Sequence, residues 1–143
     1  DVLVENFRPG VMEKLGLGYP TLEAVHPSLI YLAVNGFGSD GPYSDLPAYD
    51  QVLQGLTGLM PAQGSEGVPA LVQGAIADKS TALTALSGVL AALLARERDP
   101  KHLGQRLEVA MIDAFSAFCK TDTLHGSCSA DWTQKLNRLG HNL

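Results

Sequence analysis

The residues that could carry chemistry in this sequence fall in two places. Asp78, followed by Lys79-Ser80-Thr81, opens a long apolar run, and Asn6, Phe7, Arg8 and Lys14 follow a short one. A carboxylate in the first turn of a helix sits where unpaired backbone N–H groups and the helix dipole favour negative charge, so Asp78 stays ionised and aimed and is the strongest candidate for chemistry. The same position also suits a helix N-cap, and sequence position leaves both readings open. Asn6, Phe7, Arg8 and Lys14 supply an amide, an aromatic ring and two cations just past a strand end, the edge where α/β sheets bind ligands. An adenine could stack on the ring while the cations meet phosphate. The alternative is a solvated turn with Phe7 tucked into the core.

Other familiar patterns carry less. His26, His102, His125 and His141 are scattered without metal-ligand spacing, and Cys119 and Cys128 form no CxxC pair, so no metal site is expected. Gly36-Phe37-Gly38-Ser39-Asp40-Gly41 spells GxGxxG after a predicted strand. A dinucleotide site also needs that loop to open a helix and an acid about 20 residues on at a strand end. Pro42 and a turn-rich segment follow instead, and the loop reads as a plain tight turn.

The elements that must position these residues follow from periodicity and punctuation. Asp1 to Glu5 reads as a short buried strand, Leu29 to Val34 as a central parallel strand, and Gln105 to Val109 as a third. Short helices are predicted over Val11 to Leu15 and Thr21 to Val25, the second with Thr21 as N-cap and Pro27 as its stop. Asp50 to Met60 has helical spacing, with Asp50 as its cap and Val52, Leu53, Leu56 and Leu59 on one face. Gly/Pro-rich loops cover Gly36 to Pro47 and Pro61 to Gly74. Ala77 to Arg98 is the clearest helix, apolar nearly all round, so most of its surface is expected to be buried. A further helix begins at Ile112, and Met60 and Met111 read as core filler. Strands alternating with helices predict an α/β fold with a parallel sheet.

Composition limits the partners. The 143 residues are 45% hydrophobic, enough for a packed core, with 10 Lys+Arg against 15 Asp+Glu and a net charge of −5. Such a balance argues against a broad nucleic-acid surface, and any anionic ligand must be held by a local basic cluster. Ala82 to Ala95 falls short of the ~20 apolar residues a bilayer needs, so no membrane span is expected. No leader pattern or glycosylation sequon is present, and a reducing, cytoplasmic compartment is the expectation.

Taken together, the motifs resemble the family III CoA-transferases, the group that contains formyl-CoA and carnitine CoA-transferases. The likeness runs through Asp1 to Gly10, Pro27 to Tyr31, Gly36 to Tyr43, Ala48-Tyr49-Asp50, Ala75 to Asp78, Leu90 to Arg98 and Gly104 to Ala114. It fades after about Phe118 and returns at Asn137 to Asn142. The resemblance implies that Asp78 is the catalytic aspartate, that Asn6, Phe7 and Arg8 line a CoA pocket, and that Lys14 is a basic CoA-binding residue. It implies that Tyr49 and Asp50 lie near the acyl group. It further implies that the chain is an internal part of one large Rossmann-like domain, without a second complete domain, from a subunit that pairs as an interlocked homodimer. A downstream glycine-rich loop over the intermediate is also implied. The pattern departs from the family at Ala82, where glycine is usual, at Lys79, and in the longer turn from Arg98 to Gly104.

The reaction so implied moves coenzyme A from an acyl-CoA to a small carboxylic acid through covalent aspartyl intermediates, with CoA as substrate and no prosthetic group. Backbone N–H groups at the start of the Asp78 helix are expected to stabilise the oxyanion, an effect worth about 2.7–4 kcal/mol per donor. Two rivals share the resemblance. A 2-methylacyl-CoA racemase typically carries Gly-His-Asp where this chain has Ala48-Tyr49-Asp50. Tyrosine, with an ordinary pKa of about 10, is a poor base at neutral pH. A non-catalytic CoA-binding homologue would use Asp78 only as a cap.

Overall fold

A computed structural model of the chain describes residues 1–120. Three strands, β1 (Val2–Glu5), β2 (Ile30–Asn35) and β3 (Gln105–Ala110), form one parallel sheet in the order β1-β2-β3. Val2 to Glu5 pair with Ile30 to Ala33, and Ile30 to Asn35 pair with Gln105 to Ala110. The helices are α1 (Val11–Lys14), α2 (Tyr19–Val25), α3 (Asp50–Leu56), α4 (Leu59–Gln63) and α5 (Ile76–Arg98), and residues 111–120 are helical as well.

The central strand carries no polar side chain other than the Tyr31 hydroxyl before Asn35 because both its faces are covered. On one side Tyr31 and Ala33 join Met12 and Leu29, with Leu3, Tyr19 and Leu22 packed against them. Tyr19 meets the Tyr31 ring edge-on at 5.8 Å. On the other side lies α5, which packs on β2 and β3. A second core of Leu53, Leu59, Ala77, Phe115 and Cys119 ties α3, α4 and the start of α5 to the helical stretch over residues 111–120.

Several expectations change. β1 is an edge strand rather than a buried one, with Val2 37% and Val4 61% exposed, because α5 packs chiefly on β2 and β3 within the sheet. α2 starts two residues before Thr21, with Gly18 as N-cap and Pro20 in its first turn, where a missing N–H costs nothing. The helix expected over Asp50 to Met60 is broken in two by Gly58, whose φ of +80° is left-handed. Its buried side is Asp50, Leu53 and Gln54, while Val52 and Leu56 face outward.

α5 departs furthest from expectation. Its buried residues are Ala77, Ser80, Thr81, Ala85 and Ala92, whereas Leu83, Leu86, Leu90 and Leu94 are each more than half exposed. Small side chains let the helix approach the sheet closely, and a Cβ at Gly88 would come within 3.9 Å of Leu107. The leucines therefore point away from the sheet. By length and apolarity α5 could cross a bilayer, yet here it serves as the cover of a parallel sheet. Its far end is anchored by Arg96, which donates to the Ser28 carbonyl at 3.0 Å and pairs with Asp1 at 3.3 Å.

Candidate active site

A cleft of about 1120 Å³ opens beyond the carboxyl ends of β1 and β2, facing the amino end of α5. It brings together Asn6, Phe7, Arg8, Tyr49, Asp50 and Asp78. Its apolar wall includes Val4, Leu32, Val34, Ala85, Val89 and Met111. Ligands in open α/β sheets bind at this edge because the strands end there and the loops and helix starts converge.

The first side of the cleft is the turn after β1. Glu5 ends the strand, and its Oε2 accepts the Phe7 N–H at 2.8 Å, closing a two-residue bend. Phe7 is 52% exposed, so it is not a core residue, and it lines the cleft between Asn6 and Arg8. Burial raises the Glu5 carboxyl above the usual range, aided by Glu13 and Glu108 and opposed by the Phe7 N–H and Arg106. Glu5 is a cleft residue that sequence reasoning missed, since a glutamate bending its own backbone has a weaker signature than Asn or Asp. Lys14 closes the short α1, is exposed, and does not line the cleft.

The second side is the start of α5. Asp78 lies in its first turn, and Ala75 is the N-cap residue, so the cap reading of Asp78 does not hold. Asp78 is exposed to the cleft, and among the described residues none of the ion pairs involves it.

The cap comes from elsewhere. Asp50 is 6% exposed, and its Oδ2 accepts the N–H groups of Ala77 at 2.7 Å and Asp78 at 3.2 Å. It is not the cap of its own helix, whose N-cap is Tyr49. The Lys79 N–H is bonded to the Ala75 carbonyl at 3.1 Å. The α5 amides expected to stabilise an oxyanion are therefore already engaged at Ala77, Asp78 and Lys79. Gln54, fully buried, donates to Asp50 Oδ1 at 2.6 Å and to the Val72 carbonyl at 3.2 Å, while its Oε1 accepts the Val72 N–H at 2.9 Å. Gln54 was also missed. Its spacing of four from Asp50 is the signal that could have found it.

The GxGxxG loop is a turn with its polar groups satisfied internally. No helix follows it directly; Gly38 donates to Asn35 Oδ1 at 2.6 Å, and the Ser39 amide donates to Glu108. Glu108 also accepts from Ser39 Oγ at 2.8 Å, from Asn35 at 2.7 Å and from Arg106 at 3.1 Å. Burial would raise the Glu108 carboxyl, but these donors outweigh it and hold it below the ordinary range. Two of the amides a pyrophosphate would need are thus already spent. Among the described residues no cluster of three or more His, Cys, Asp and Glu side chains could hold a metal ion. His125, Cys128, His141 and the Asn137 to Asn142 motif lie outside the described residues.

A parallel sheet, a cleft past its strand ends, and an exposed carboxylate at the start of the covering helix define an α/β protein with the layout of a small-molecule enzyme. Residues 1–141 match CoA-transferase family III, and the chain belongs to that family. It is 43% identical over 120 residues to the acetyl-CoA:oxalate CoA-transferase of Acetobacter aceti, covering 82% of this chain and 30% of that protein. It is 38% identical over 118 residues to the succinate–glutarate CoA-transferase of Agrobacterium fabrum, covering 82% of this chain and 29% of that one. The solved structure of a CAIB/BAIF family protein from Brucella suis superposes with a TM-score of 0.82 at 34% identity, covering 91% of this chain and 34% of that one. The chain thus spans about a third of the length of the relatives it matches.

Proposed function

We propose that Asp78 is the nucleophile of an acyl-CoA:carboxylate CoA-transferase, and that this chain forms the nucleophile-bearing part of its large domain. The observation that carries the reading is the Asp78 carboxylate, exposed in the first turn of α5 and sharing one cleft with Asn6, Phe7 and Arg8.

An Asp78 oxygen attacks the thioester carbonyl, the C–S bond breaks, and an aspartyl-acyl anhydride and CoA thiolate result. The thiolate attacks the aspartyl carbonyl, releasing the donor acid and leaving aspartyl-CoA. The acceptor carboxylate then displaces the thiolate to form a second anhydride. Attack of the thiolate on the acceptor's acyl carbonyl restores Asp78. No proton or electron is consumed.

Phe7 offers a ring for the adenine and Arg8 a cation for phosphate, with Asn6 beside them and Lys14 outside the cleft. With the Ala77, Asp78 and Lys79 amides engaged, side-chain donors of the cleft such as Tyr49 and Gln51 are assigned to oxyanion stabilisation. Water must be kept from both intermediates, and the apolar wall serves that end. The homodimer and the cytoplasmic setting that the resemblance implies belong to the same proposal. Transfer is favoured over racemisation because tyrosine stands where a racemase places its histidine base.

The test uses the full-length protein with acyl-CoA and a panel of small mono- and dicarboxylates. Hydroxylamine should attack the activated Asp78 carbonyl, expel the donor acid or CoA and leave Asp78 as a hydroxamate, and Asp78→Ala should abolish transfer while CoA still binds. Unchanged transfer in Asp78→Ala, or α-proton exchange in deuterated water without transfer, would overturn the reading.

A further inference from the structure

We infer that Asp50 is a positioning residue for Asp78 rather than a substrate contact. The inference rests on the reading of Asp78 as nucleophile. Its basis is a single chain of hydrogen bonds, buried at Asp50 and Gln54 and part-buried at its two ends, that begins at the backbone of Asp78 itself. Asp50 Oδ2 holds the N–H groups of Ala77 and Asp78, and Asp50 Oδ1 is held by Gln54. Gln54 in turn grips both backbone polar groups of Val72, four residues before α5 begins. The segment entering the helix and the helix's first turn are thereby fixed to α3 from two directions.

Both Asp50 oxygens are engaged within the protein, and the residue is 6% exposed. Little is left for an acyl group or an acceptor acid to bond. First turns of helices fray because their amides lack partners. Here the amide of the reacting residue has one, so the peptide plane before Asp78 cannot swing and the Cα–Cβ direction into the cleft is set. A covalent step needs its atoms near 3–3.5 Å, and a misplacement of about 1 Å can cost roughly 10²-fold in rate. The carboxylate at position 50 is the tether that meets that requirement. Its contribution should fall on acylation and not on substrate affinity.

The experiment measures the rate of Asp78 acylation per folded molecule, by mass spectrometry of the Asp78 hydroxamate formed in full-length protein with hydroxylamine, beside KM for acyl-CoA, KM for the acceptor acid and thermal unfolding. Asp50→Ala should acylate about 10²-fold more slowly than wild type. Asp50→Asn keeps an oxygen for the Ala77 and Asp78 amides but sets an NH₂ against the Gln54 NH₂. It should fall between the two, with KM for acyl-CoA within about twofold of wild type on the same geometric argument. Should Asp50→Ala fail to fold, the Asn variant and Gln54→Leu, which removes the support behind Asp50, carry the test. A wild-type acylation rate per folded molecule in these variants, with only the melting temperature lowered, would overturn the inference and show a purely structural cap. A raised KM for the acceptor acid at unchanged acylation rate would overturn it in favour of substrate contact. Failure of the underlying reading is seen separately, as absence of any trapped adduct at Asp78 in the wild-type control.

Discussion

The backbone N–H of Asp78 donates to the carboxylate of Asp50 at 3.2 Å, so the two aspartates of the cleft are joined, main chain of one to side chain of the other. Residues 28 apart in sequence thus share one helix start, and the acid that looks like the cap of α3 caps α5. The arrangement leaves the Asp78 side chain unpaired among the described ion pairs while its backbone is held.

Gln54 makes the most demanding test of that network. It is fully buried and satisfies Asp50 and both backbone groups of Val72. Gln54→Leu preserves approximate volume but strips partners from buried polar groups, which costs about 1–3 kcal/mol for each group left unsatisfied. We expect a total loss of about 2–4 kcal/mol in the urea unfolding of the full-length protein. A change below about 0.5 kcal/mol, the size of an ordinary surface substitution, would contradict the assignment.

Gly104 lies where a Cβ would run into the carbonyl and amide of Leu29, immediately before β3 pairs with β2. Its own N–H donates to the Pro27 carbonyl at 2.8 Å, which fixes the close approach. Because the clash is with backbone, no rotamer change relieves it. Gly104→Ala is expected to lower stability by about 1–3 kcal/mol, the range for overpacking. Thermal unfolding of the variant at or above the wild-type temperature would show that the approach is looser.

Glu108 predicts a pH dependence. Its carboxyl is held below the ordinary range in the folded state, so its ionised form stabilises the fold above the unfolded pKa. That stability is lost as pH falls through the folded value. Glu108→Gln should therefore be less stable than wild type at pH 7, with the gap closing as the solution is acidified below the ordinary carboxylate range. Melting temperatures of the two proteins across pH 3 to 7 check this. A gap that widens on acidification would reverse the sign.

Phe7 separates binding from folding. It is half exposed at the cleft and belongs to neither core cluster. Phe7→Ala should change stability by less than about 0.5 kcal/mol, as surface substitutions do. CoA affinity should fall by about 0.5–2 kcal/mol, the range of ring contacts with a ligand cation or aromatic group. Calorimetric titration with CoA measures it, and an unaltered Kd would remove Phe7 from the ligand's path.

The order of elements, the parallel sheet and six of the seven expected site residues were legible in the sequence, because periodicity, turn residues and strand ends are local properties of the chain, while Lys14 lies outside the cleft and Glu5 inside it. Val2 to Glu5, Ile30 to Asn35 and Gln105 to Ala110 fall within a residue of their predicted bounds, and Asn6, Phe7, Arg8, Tyr49, Asp50 and Asp78 do meet. What tertiary structure decided was which group answers which. On α5 both the leucines and the small residues are apolar, so composition could not say which stripe meets the sheet; the close approach to β2 and β3 selected the alanines. Asp50 could have capped the helix it begins, and only the packing of α3 on α5 brought its carboxylate to the Ala77 and Asp78 amides. A hydrogen bond needs about 3 Å and a direction, and no sequence pattern fixes either between residues so far apart.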